Sequence, residues 1–360
     1  MSKTIVSIIS AQPVPNYLFI KECYEQGDDL LFITSTKMES NIDPIVHTLG
    51  LRNTKIHRAM LPAGAEEQWS DMCEAIKGLI QPDVRYAVNL TGGTKYMALA
   101  VQKVFEPYQS EFYYIPFPRN VILTEQRETP IKTRMTVKEF MSVHGHEIKS
   151  ESLLKQENDS RSMLKLFTKK LRSHDYKIID QFREFRNTKK PLSLEKIMDS
   201  VEGASYEDIA DFLGMCGYQY GAKLSKYDFR YLTGGWFEEH VSYLMQNTIC
   251  PDDILLGVKM IKTNNDLDVV FTKGNILFVV ECKTGIDRQG MLNEICYKCA
   301  ALKGYLKGIS AKSYVFALAT GDPKWKVIPD SMDVKYFGRD YFVNAEKTKE
   351  LIEEIKKVLS

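Results

Sequence analysis

Short apolar runs alternate with stretches of helical spacing over roughly the first 110 residues of the chain. Four of these runs have the length and content of buried strands: 5–10, 29–35, 55–61 and 84–90. The stretches that follow them carry apolar residues at helical spacing, near 16–26, 39–50, 66–80 and 94–105. Strands that alternate with helices predict a mostly parallel sheet covered on both faces. Further on, 111–117 and 120–125 indicate a closing hairpin or edge strands, and 136–147 indicates a short helix and turn.

The pattern changes after residue 150. Residues 161–190 hold ten Lys or Arg against three acidic residues on a helical pattern, and Ser205 with Asp208 has the spacing of a capping box. A nucleic-acid groove and an ordinary solvated helix face both explain the basic stretch. We therefore predict a helical connector over 151–225.

A second α/β unit is predicted from residue 226 to residue 360. It begins with a loop that becomes a helix within 233–247 and continues with two strands, a helix, a strand and a closing helix. The two strands are 267–272 and 276–283, and the later elements are 289–307, 312–320 and 345–359. The first unit is assigned residues 1–150, which gives two α/β domains joined by the connector.

Composition narrows the class of protein. A chain of 360 residues that is 44% hydrophobic and 26% charged has the profile of a soluble globular protein. Its 48 basic and 47 acidic residues produce no global field, so any nucleic-acid binding must use local patches. No apolar stretch approaches the roughly 20 residues that span a bilayer. Seven scattered cysteines and the absence of a signal-peptide pattern predict free thiols and a cytoplasmic location. Cys296 and Cys299 form a CxxC, but no second pair completes a zinc site.

The most informative stretch is NDLDVVFTKGNILFVVECKTG, residues 265–285. Gly274-Asn275 is a plausible two-residue hairpin turn, and the register that it sets places Asp268 opposite Glu281 with Lys283 on the same face. Two carboxylates facing each other across a ladder repel unless a cation lies between them. Mg²⁺ prefers one or two carboxylates together with waters and phosphates. A surface hairpin with a salt bridge is the alternative explanation.

Asp268 followed by Glu281-Cys282-Lys283 resembles the D…(D/E)xK pattern of restriction-endonuclease-like nucleases. The resemblance implies that Asp268, Glu281 and the backbone carbonyl of Cys282 hold a divalent metal ion, Mn²⁺ or Mg²⁺, while Lys283 orients the attacking water. Glu238 in GGWFEEHV is the implied fourth catalytic residue, with Glu239 as the alternative. Tyr297 and Lys298 could contact substrate phosphate, although an ordinary amphipathic helix explains them too.

Three loops of the first unit follow predicted strands. VNLTGGTKYMAL, residues 88–99, passes from a strand through Gly92 and Gly93 into a helix whose free N–H groups attract an anion, aided by Lys95. It is neither GxGxxG nor a P-loop, so ordinary dinucleotide or ATP binding is poorly supported. The loops SAQPVPN (10–16) and TSTKM (34–38) follow the first and second strands. Open α/β sheets bind ligands at this edge.

The S-x-Q-x-x-P-N start and the N-L-T-G-G-T-K loop resemble the CARF domain, the CRISPR-associated Rossmann-like sensor of cyclic oligoadenylates. With the nuclease-like site behind it, the chain resembles the CARF-plus-nuclease effectors of type III CRISPR systems. The resemblance implies a homodimer with the cyclic ligand across the twofold axis, and cyclic tetra-adenylate is the usual activator of such proteins. The implied ligand contacts are Gln12, Asn16, Ser35, Thr36, Met38, Thr91, Gly92, Gly93, Thr94 and Lys95.

The expected protein is a metal-dependent endonuclease that cuts or nicks DNA, RNA or both once a cyclic oligoadenylate binds. A nucleotide-sensing regulator that grips nucleic acid without cutting is the first competitor, and the intact Asp268, Glu281 and Lys283 argue against it. The second competitor is an enzyme whose sensor domain also degrades its ligand. The three loops contain no obvious histidine or general base, which argues against that competitor.

Overall fold

The computed structural model describes residues 2–64, 67–152, 157–167, 173–219, 221–261, 266–285, 289–305, 311–319, 329 and 331–359. None of the helices within these ranges is both long enough and apolar enough to cross a membrane. All seven cysteines lie in the described ranges and are free thiols, as the sequence predicts.

The first unit is built on a five-stranded parallel sheet with the order β3-β2-β1-β4-β5. Its strands are β1 (Lys3–Ile8), β2 (Asp29–Ser35), β3 (Ile56–Leu61), β4 (Arg85–Asn89) and β5 (Ser110–Tyr113). Its helices are α1 (Val14–Cys23), α2 (Ile42–Leu49), α3 (Trp69–Lys77) and α4 (Lys95–Phe105). A small antiparallel pair, β6 (Val121–Leu123) and β7 (Glu128–Pro130), and the helix α5 (Val137–Val143) follow. The parallel sheet and the four predicted strand–helix pairs are confirmed.

The central strands β1, β2 and β4 are buried on both faces, which explains why their sequences are continuous apolar runs. Successive side chains of β1 point to opposite faces. Ile5 packs in the core that contains residues of α1, α2 and α5, and Val6 packs in the core that contains residues of α3 and α4. Burial on both sides therefore fixes β1 at the centre of the sheet.

The region from residue 157 to residue 230 is mainly helical within its described residues. It contains α6 (Glu157–Lys165), α7 (Ser173–Phe182), a 3₁₀ turn at Glu184–Asn187, α8 (Leu194–Met198), α9 (Tyr206–Met215) and α10 (Lys226–Arg230). The predicted capping box opens α9, because the Asp208 N–H donates to Ser205 Oγ at 3.2 Å and the Ser205 N–H donates to Asp208 Oδ2 at 3.0 Å. The part of the predicted basic face at 168–172 lies outside the described residues.

The second unit is a six-stranded mixed sheet with the order β13-β12-β11-β10-β9-β8. Its strands are β8 (Ile148–Ser152), β9 (Asp253–Met260), β10 (Asp266–Lys273), β11 (Ile276–Lys283), β12 (Ala311–Ala317) and β13 (Val334–Phe337). Its helices are α11 (Trp236–Thr248), α12 (Gln289–Tyr305), α13 (Asp340–Val343) and α14 (Ala345–Lys357). The three strands β8, β9 and β10 are antiparallel to their neighbours, whereas β11, β12 and β13 run parallel. The mixed α/β class is confirmed, and β8, β9 and β13 are additions that the sequence pattern did not predict.

The prediction of a loop before α11 is wrong. A π-helical turn at Tyr231–Gly235 joins α10 directly to α11, and only Gly234 departs from helical dihedral angles. The Thr233 hydroxyl donates to the Phe229 carbonyl at 2.6 Å, which holds the helical path through the two glycines. Single π-helical turns of this kind are frequent at functional sites.

The β10–β11 hairpin is attached to the first unit through its turn. Asn275 is fully buried and adopts a positive φ of 61°, the conformation that a two-residue hairpin turn requires. Its side chain accepts from the Met135 N–H at 2.9 Å and donates to Asn120 Oδ1 at 2.6 Å and to the Thr133 carbonyl at 3.1 Å. Glu22 at the end of α1 accepts from the Thr133 N–H at 2.6 Å. A chain of hydrogen bonds thus connects α1 to the turn of the second unit's central hairpin.

Candidate active site and sensor loops

The predicted hairpin register is observed. Lys273 pairs with Ile276, and the pairing continues without a shift to Val269 opposite Val280. The next position in this register brings Asp268 to Glu281. Glu281 is only 4% exposed, and the Asp268 side chain is 14% exposed. Two carboxylates are therefore held together at the end of a buried ladder, where their charges are poorly screened.

Lys283 lies between these carboxylates. Its Nζ is 2.7 Å from Glu281 Oε1, 3.0 Å from Asp268 Oδ2 and 3.0 Å from the Cys282 carbonyl oxygen. The three residues that the family resemblance implies as metal ligands thus each direct an oxygen atom at one cationic group. Asp268 also accepts from the Cys282 N–H at 2.7 Å, which fixes the orientation of its carboxylate.

A second lysine also neutralises Glu281. Lys298 Nζ, on α12, is 3.1 and 3.2 Å from the two Glu281 carboxylate oxygens and 3.2 Å from the Asp266 carbonyl oxygen. The sequence singled out Lys298 only as a possible phosphate contact. Its pairing with Glu281 depends on the packing of α12 against the sheet, which no local pattern reveals.

Glu238 belongs to the same acidic cluster. It lies in the first turn of α11, and burial together with the charges of Asp268 and Glu281 raises its pKa to about 8. Burial and Glu281 likewise raise the pKa of Asp268. Burial lowers the pKa of Lys283, but the two carboxylates reverse that effect and hold it above its ordinary value. Glu239, the alternative to Glu238, is buried and acts on the Tyr231 phenol, whose pKa is raised by burial and by the Glu239 charge.

The donor set fits a hard divalent cation. Mg²⁺ and Mn²⁺ favour carboxylate and carbonyl oxygens, which are the groups that surround Lys283 Nζ. Within the described ranges, no group of three His, Cys, Asp or Glu side chains is arranged as a metal site. The arrangement instead consists of two carboxylates, one backbone carbonyl and a lysine at their centre. A divalent ion would replace the ammonium group there.

The three loops that follow β1, β2 and β4 lie side by side. Since β1 is flanked by β2 and β4, the segments that follow these three strands meet at one edge of the sheet. The chain order reverses between β1 and β4, and ligands of open α/β folds bind at such a switch point. Thr36, Gly93, Thr94 and Lys95 are exposed there, whereas Gln12, Met38 and Thr91 are partly buried.

Several of the predicted ligand residues hold the loops in place. Asn16 is 1% exposed, and its side chain donates to the Ile8 carbonyl at 3.0 Å and accepts from Asn89 Nδ2 at 3.1 Å. The Thr91 hydroxyl accepts from the Ile115 N–H at 2.8 Å. Thr94 caps α4 by accepting from the Met97 N–H at 3.2 Å. The side chains of Asn16 and Thr91 therefore connect β1, β4 and the loops between them.

Ser35 and Gly92 are buried as well. The Ser35 carbonyl accepts from the Met38 N–H at 2.9 Å and closes the turn after β2. A Cβ atom at Gly92 would lie 1.9 Å from the Ile8 carbonyl oxygen, so only glycine fits there. Gly93 has a positive φ of 72°, which also favours glycine.

Fold and site together define an α/β protein with a Rossmann-like parallel-sheet domain and a mixed-sheet domain that carries the acidic cluster. The family model of the Card1 CARF domain matches residues 4–144, and that of the Card1-like endonuclease domain matches residues 225–354. The chain therefore belongs to the CRISPR-associated CARF-domain nucleases.

Solved structures share this fold over nearly the whole chain. Protein VC1899 from Vibrio cholerae has a TM-score of 0.78 at 17% identity, with 98% of each chain covered. Can2 from Sulfobacillus thermosulfidooxidans, in complex with cyclic tetra-adenylate, has a TM-score of 0.73 at 18% identity, with 99% of this chain and 98% of that chain covered. A type III CRISPR defence DNA nuclease activated by cyclic oligoadenylate has a TM-score of 0.58 at 16% identity, with 94% and 48% covered. No curated protein matches the sequence.

Proposed function

We propose that the protein is a metal-dependent endonuclease of type III CRISPR defence that cyclic oligoadenylate activates. The observation that carries the proposal is the convergence of Asp268, Glu281 and the Cys282 carbonyl on one cation position within a Card1-like endonuclease domain. The Can2 neighbour is described with cyclic tetra-adenylate, which supports that ring as the activator.

The residues around the cation position have distinct roles in phosphodiester hydrolysis. A bound Mg²⁺ or Mn²⁺ supplies Lewis-acid stabilisation of a phosphate oxygen and lowers the pKa of a coordinated water. Asp268, Glu281 and the Cys282 carbonyl would hold the ion. Lys283 would orient the attacking water and stabilise the negative charge that develops on the phosphate oxygens. Glu238 would help to position Lys283.

Cyclic tetra-adenylate would bind at the loop edge of the sensor domain. Lys95 and the N–H groups at the start of α4 face solvent at this edge and attract the phosphates. Thr36 and Thr94 supply hydroxyls for the ribose and phosphate oxygens. A fourfold-repeated ring fits a twofold-symmetric pocket, so each protomer of a homodimer would contribute one half.

An exposed apolar face next to this edge supports the homodimer. The ring centroids of Trp69 and Tyr96 lie 5.4 Å apart in a tilted arrangement. Trp69 and Tyr96 are 38% and 41% exposed, and Leu99 on α4 is 57% exposed. Because α4 begins at the Gly92–Gly93 loop, a second copy packed on this face would bring two sensor loops together.

Cleavage assays test the proposal. Supercoiled plasmid, single-stranded DNA and labelled RNA are incubated with Mn²⁺ and with cyclic tri-, tetra- or hexa-adenylate. We expect cutting that needs both metal and one ring size. Binding of nucleic acid without cutting under every ring would instead identify a non-cleaving regulator, and recovery of linear oligoadenylate would identify a sensor that degrades its ligand.

Two variants separate sensor from nuclease. Glu281→Ala should abolish cutting and leave activator affinity within about twofold, because it removes a carboxylate that only the second domain uses. Lys95→Ala should weaken activator binding, yet cutting should return at high activator concentration. If both variants lost the same function to the same degree, the assignment of cutting to the second domain and of activator binding to the first would be contradicted.

A further inference from the structure

Arg186 of the helical connector reaches the nuclease domain. It lies in the 3₁₀ turn Glu184–Asn187, and its Nε donates to Thr233 Oγ1 at 2.7 Å while its Nη2 donates to the Thr233 carbonyl at 3.0 Å. Thr233 is fully buried in the π-helical turn that precedes Glu238. One edge of the guanidinium group is therefore fixed on a rigid part of the backbone.

Thr233 also contacts the end of the catalytic strand. Its carbonyl accepts from Thr284 Oγ1 at 2.9 Å, and Thr284 directly follows Lys283. Arg183, one helical turn before Arg186, lies against the next residue, because a Cβ atom at Gly285 would be 3.3 Å from Arg183 Nη2. Two arginines of the connector therefore lie beside the end of β11, the strand that carries Glu281 and Lys283.

Arg186 forms no ion pair with the acidic cluster in the part of the chain that the structure describes, but its charge acts on the cluster. Burial lowers the pKa of Arg186, and Glu238 and Asp268 oppose that effect. Its positive charge in turn lowers the pKa of Glu238. Among the described residues, the guanidinium group of Arg186 donates to Thr233 alone, through Nε and Nη2, and Nη1 donates to none of them. A half-buried guanidinium with one edge fixed and the other edge without a protein acceptor suits a ligand anion.

We propose that Arg186 is a further catalytic residue, whose free Nη1 edge binds a nonbridging oxygen of the scissile phosphodiester beside Lys283. The inference rests on the proposed nuclease function. Arginine presents planar, bidentate donors that match phosphate geometry, and a donor fixed in advance stabilises transition-state charge without reorganisation. The site would then be completed by a residue from outside the endonuclease domain, which explains why no motif of that domain reveals it.

The test compares four variants under saturating activator and Mn²⁺. Arg186→Ala should lower kcat on plasmid by about a hundredfold or more, as loss of one charge-stabilising donor does. Arg186→Lys, which keeps the charge but not the fork, should retain an intermediate rate. Thr233→Val removes the acceptor that orients Nε and should lower kcat while the arginine stays in place. Lys189→Ala removes one exposed positive charge three residues away and should stay within about threefold of the wild type.

Two readouts distinguish a catalytic from a structural role. Added guanidinium ion at about 10 mM should restore part of the activity of Arg186→Ala, and the activator affinity and thermal midpoint of that variant should match those of Lys189→Ala. Rates of Arg186→Ala and Lys189→Ala that agree within about threefold would overturn the inference and leave the nuclease function standing. A large loss of kcat in Arg186→Ala, together with a lowered thermal midpoint and no rescue by guanidinium ion, would show a structural role instead. A wild type that cuts nothing would overturn both proposals.

Discussion

At Gly92 the backbone leaves no room for any side chain. The residue packs on the end of β1, where an added methyl group would overlap the Ile8 carbonyl oxygen. The overlap involves two backbone segments, so neither can move aside without disturbing the β1 end and the turn into α4. The glycine is therefore required by packing, whatever the ligand contacts of the loop.

Gly92→Ala should accordingly lower the free energy of unfolding by about 2 kcal/mol or more, the cost of overpacking a tight site. Urea denaturation followed by circular dichroism measures the change. Gly78→Ala is the matched control, since nothing lies within 4 Å of a Cβ atom there and its φ is negative. Similar stabilities of the two variants would contradict the packing described here.

Glu238 makes the stability of the metal-free protein depend on pH. Its pKa is raised from an ordinary 4.5 to about 8, so between these values the folded state holds a proton that the unfolded state has lost. Stability is then greatest below the lower value and falls as the pH rises through the higher one. The raised pKa of Asp268 acts in the same direction.

With divalent ions removed by EDTA, the free energy of unfolding should fall by more than about 1 kcal/mol between about pH 6 and about pH 8.5. Glu238→Gln, which cannot ionise, should show a clearly smaller fall. Glu207→Gln, an exposed acid in the first turn of α9, should behave like the wild type. Parallel pH profiles for all three proteins would show that Glu238 does not titrate in this range.

The sequence predicts some site residues and misses others for a physical reason. Strand alternation and a two-residue turn fix the register of Asp268 against Glu281, and both features are local in sequence. Lys298 bonds Glu281 from α12, and the charge of Arg186 acts on Glu238 and Asp268 from the connector. Their positions follow from tertiary packing, so their sequence neighbourhoods resemble ordinary basic helices.

The strands show the same contrast between what the local sequence pattern predicts and what depends on tertiary packing. The central strands of the first sheet are buried on both faces and give strong apolar runs, which is why they were predicted correctly. By contrast, β8 is mostly exposed at a sheet edge, and β13 has only four residues. In β9 the pattern is broken by Gly257, which adopts a positive φ of 53°. Each of these strands depends on neighbouring strands for stability, and its own sequence has only a weak hydrophobic pattern.

The hairpin turn at Asn275 links the element that carries the carboxylates to the first domain. Asn275→Ala should lower the free energy of unfolding by about 3 kcal/mol, because it leaves the Met135 N–H without its acceptor and strains a left-handed residue. Asn53→Ala is the matched control. Asn53 has nearly the same φ, 62°, but is exposed.

Asn53→Ala should therefore lower the free energy of unfolding only by the cost of the backbone strain, about 1 kcal/mol. Denaturant unfolding of the two variants gives the difference between them, which measures the buried hydrogen bonds alone. Equal costs would mean that the contact between the hairpin and the first domain adds nothing to stability.

For the whole molecule, the apolar face formed by Trp69, Tyr96 and Leu99 predicts association of two chains. Leu99→Asp places a charge in that interface and should convert a particle of twice the 41.3 kDa chain mass into one of the single mass. Activator affinity should fall with it, since half of the pocket is lost. Sedimentation equilibrium and a titration with cyclic tetra-adenylate measure the two effects.

Val343→Asp is the matched control, because Val343 is also exposed, at 45%, but lies in the second domain. It should remain dimeric with unchanged affinity. A wild-type protein that sediments with the mass of one chain, or a Leu99→Asp variant that remains dimeric, would contradict the proposed interface.

The most direct measurement is the crystal structure of the wild-type protein grown with Mn²⁺, with anomalous diffraction data. The account predicts an anomalous peak within about 2.3 Å of Asp268, Glu281 and the Cys282 carbonyl, with Lys283 Nζ moved out from between the carboxylates. No peak at that position, with Lys283 still bonded to both carboxylates at high Mn²⁺ concentration, would contradict it.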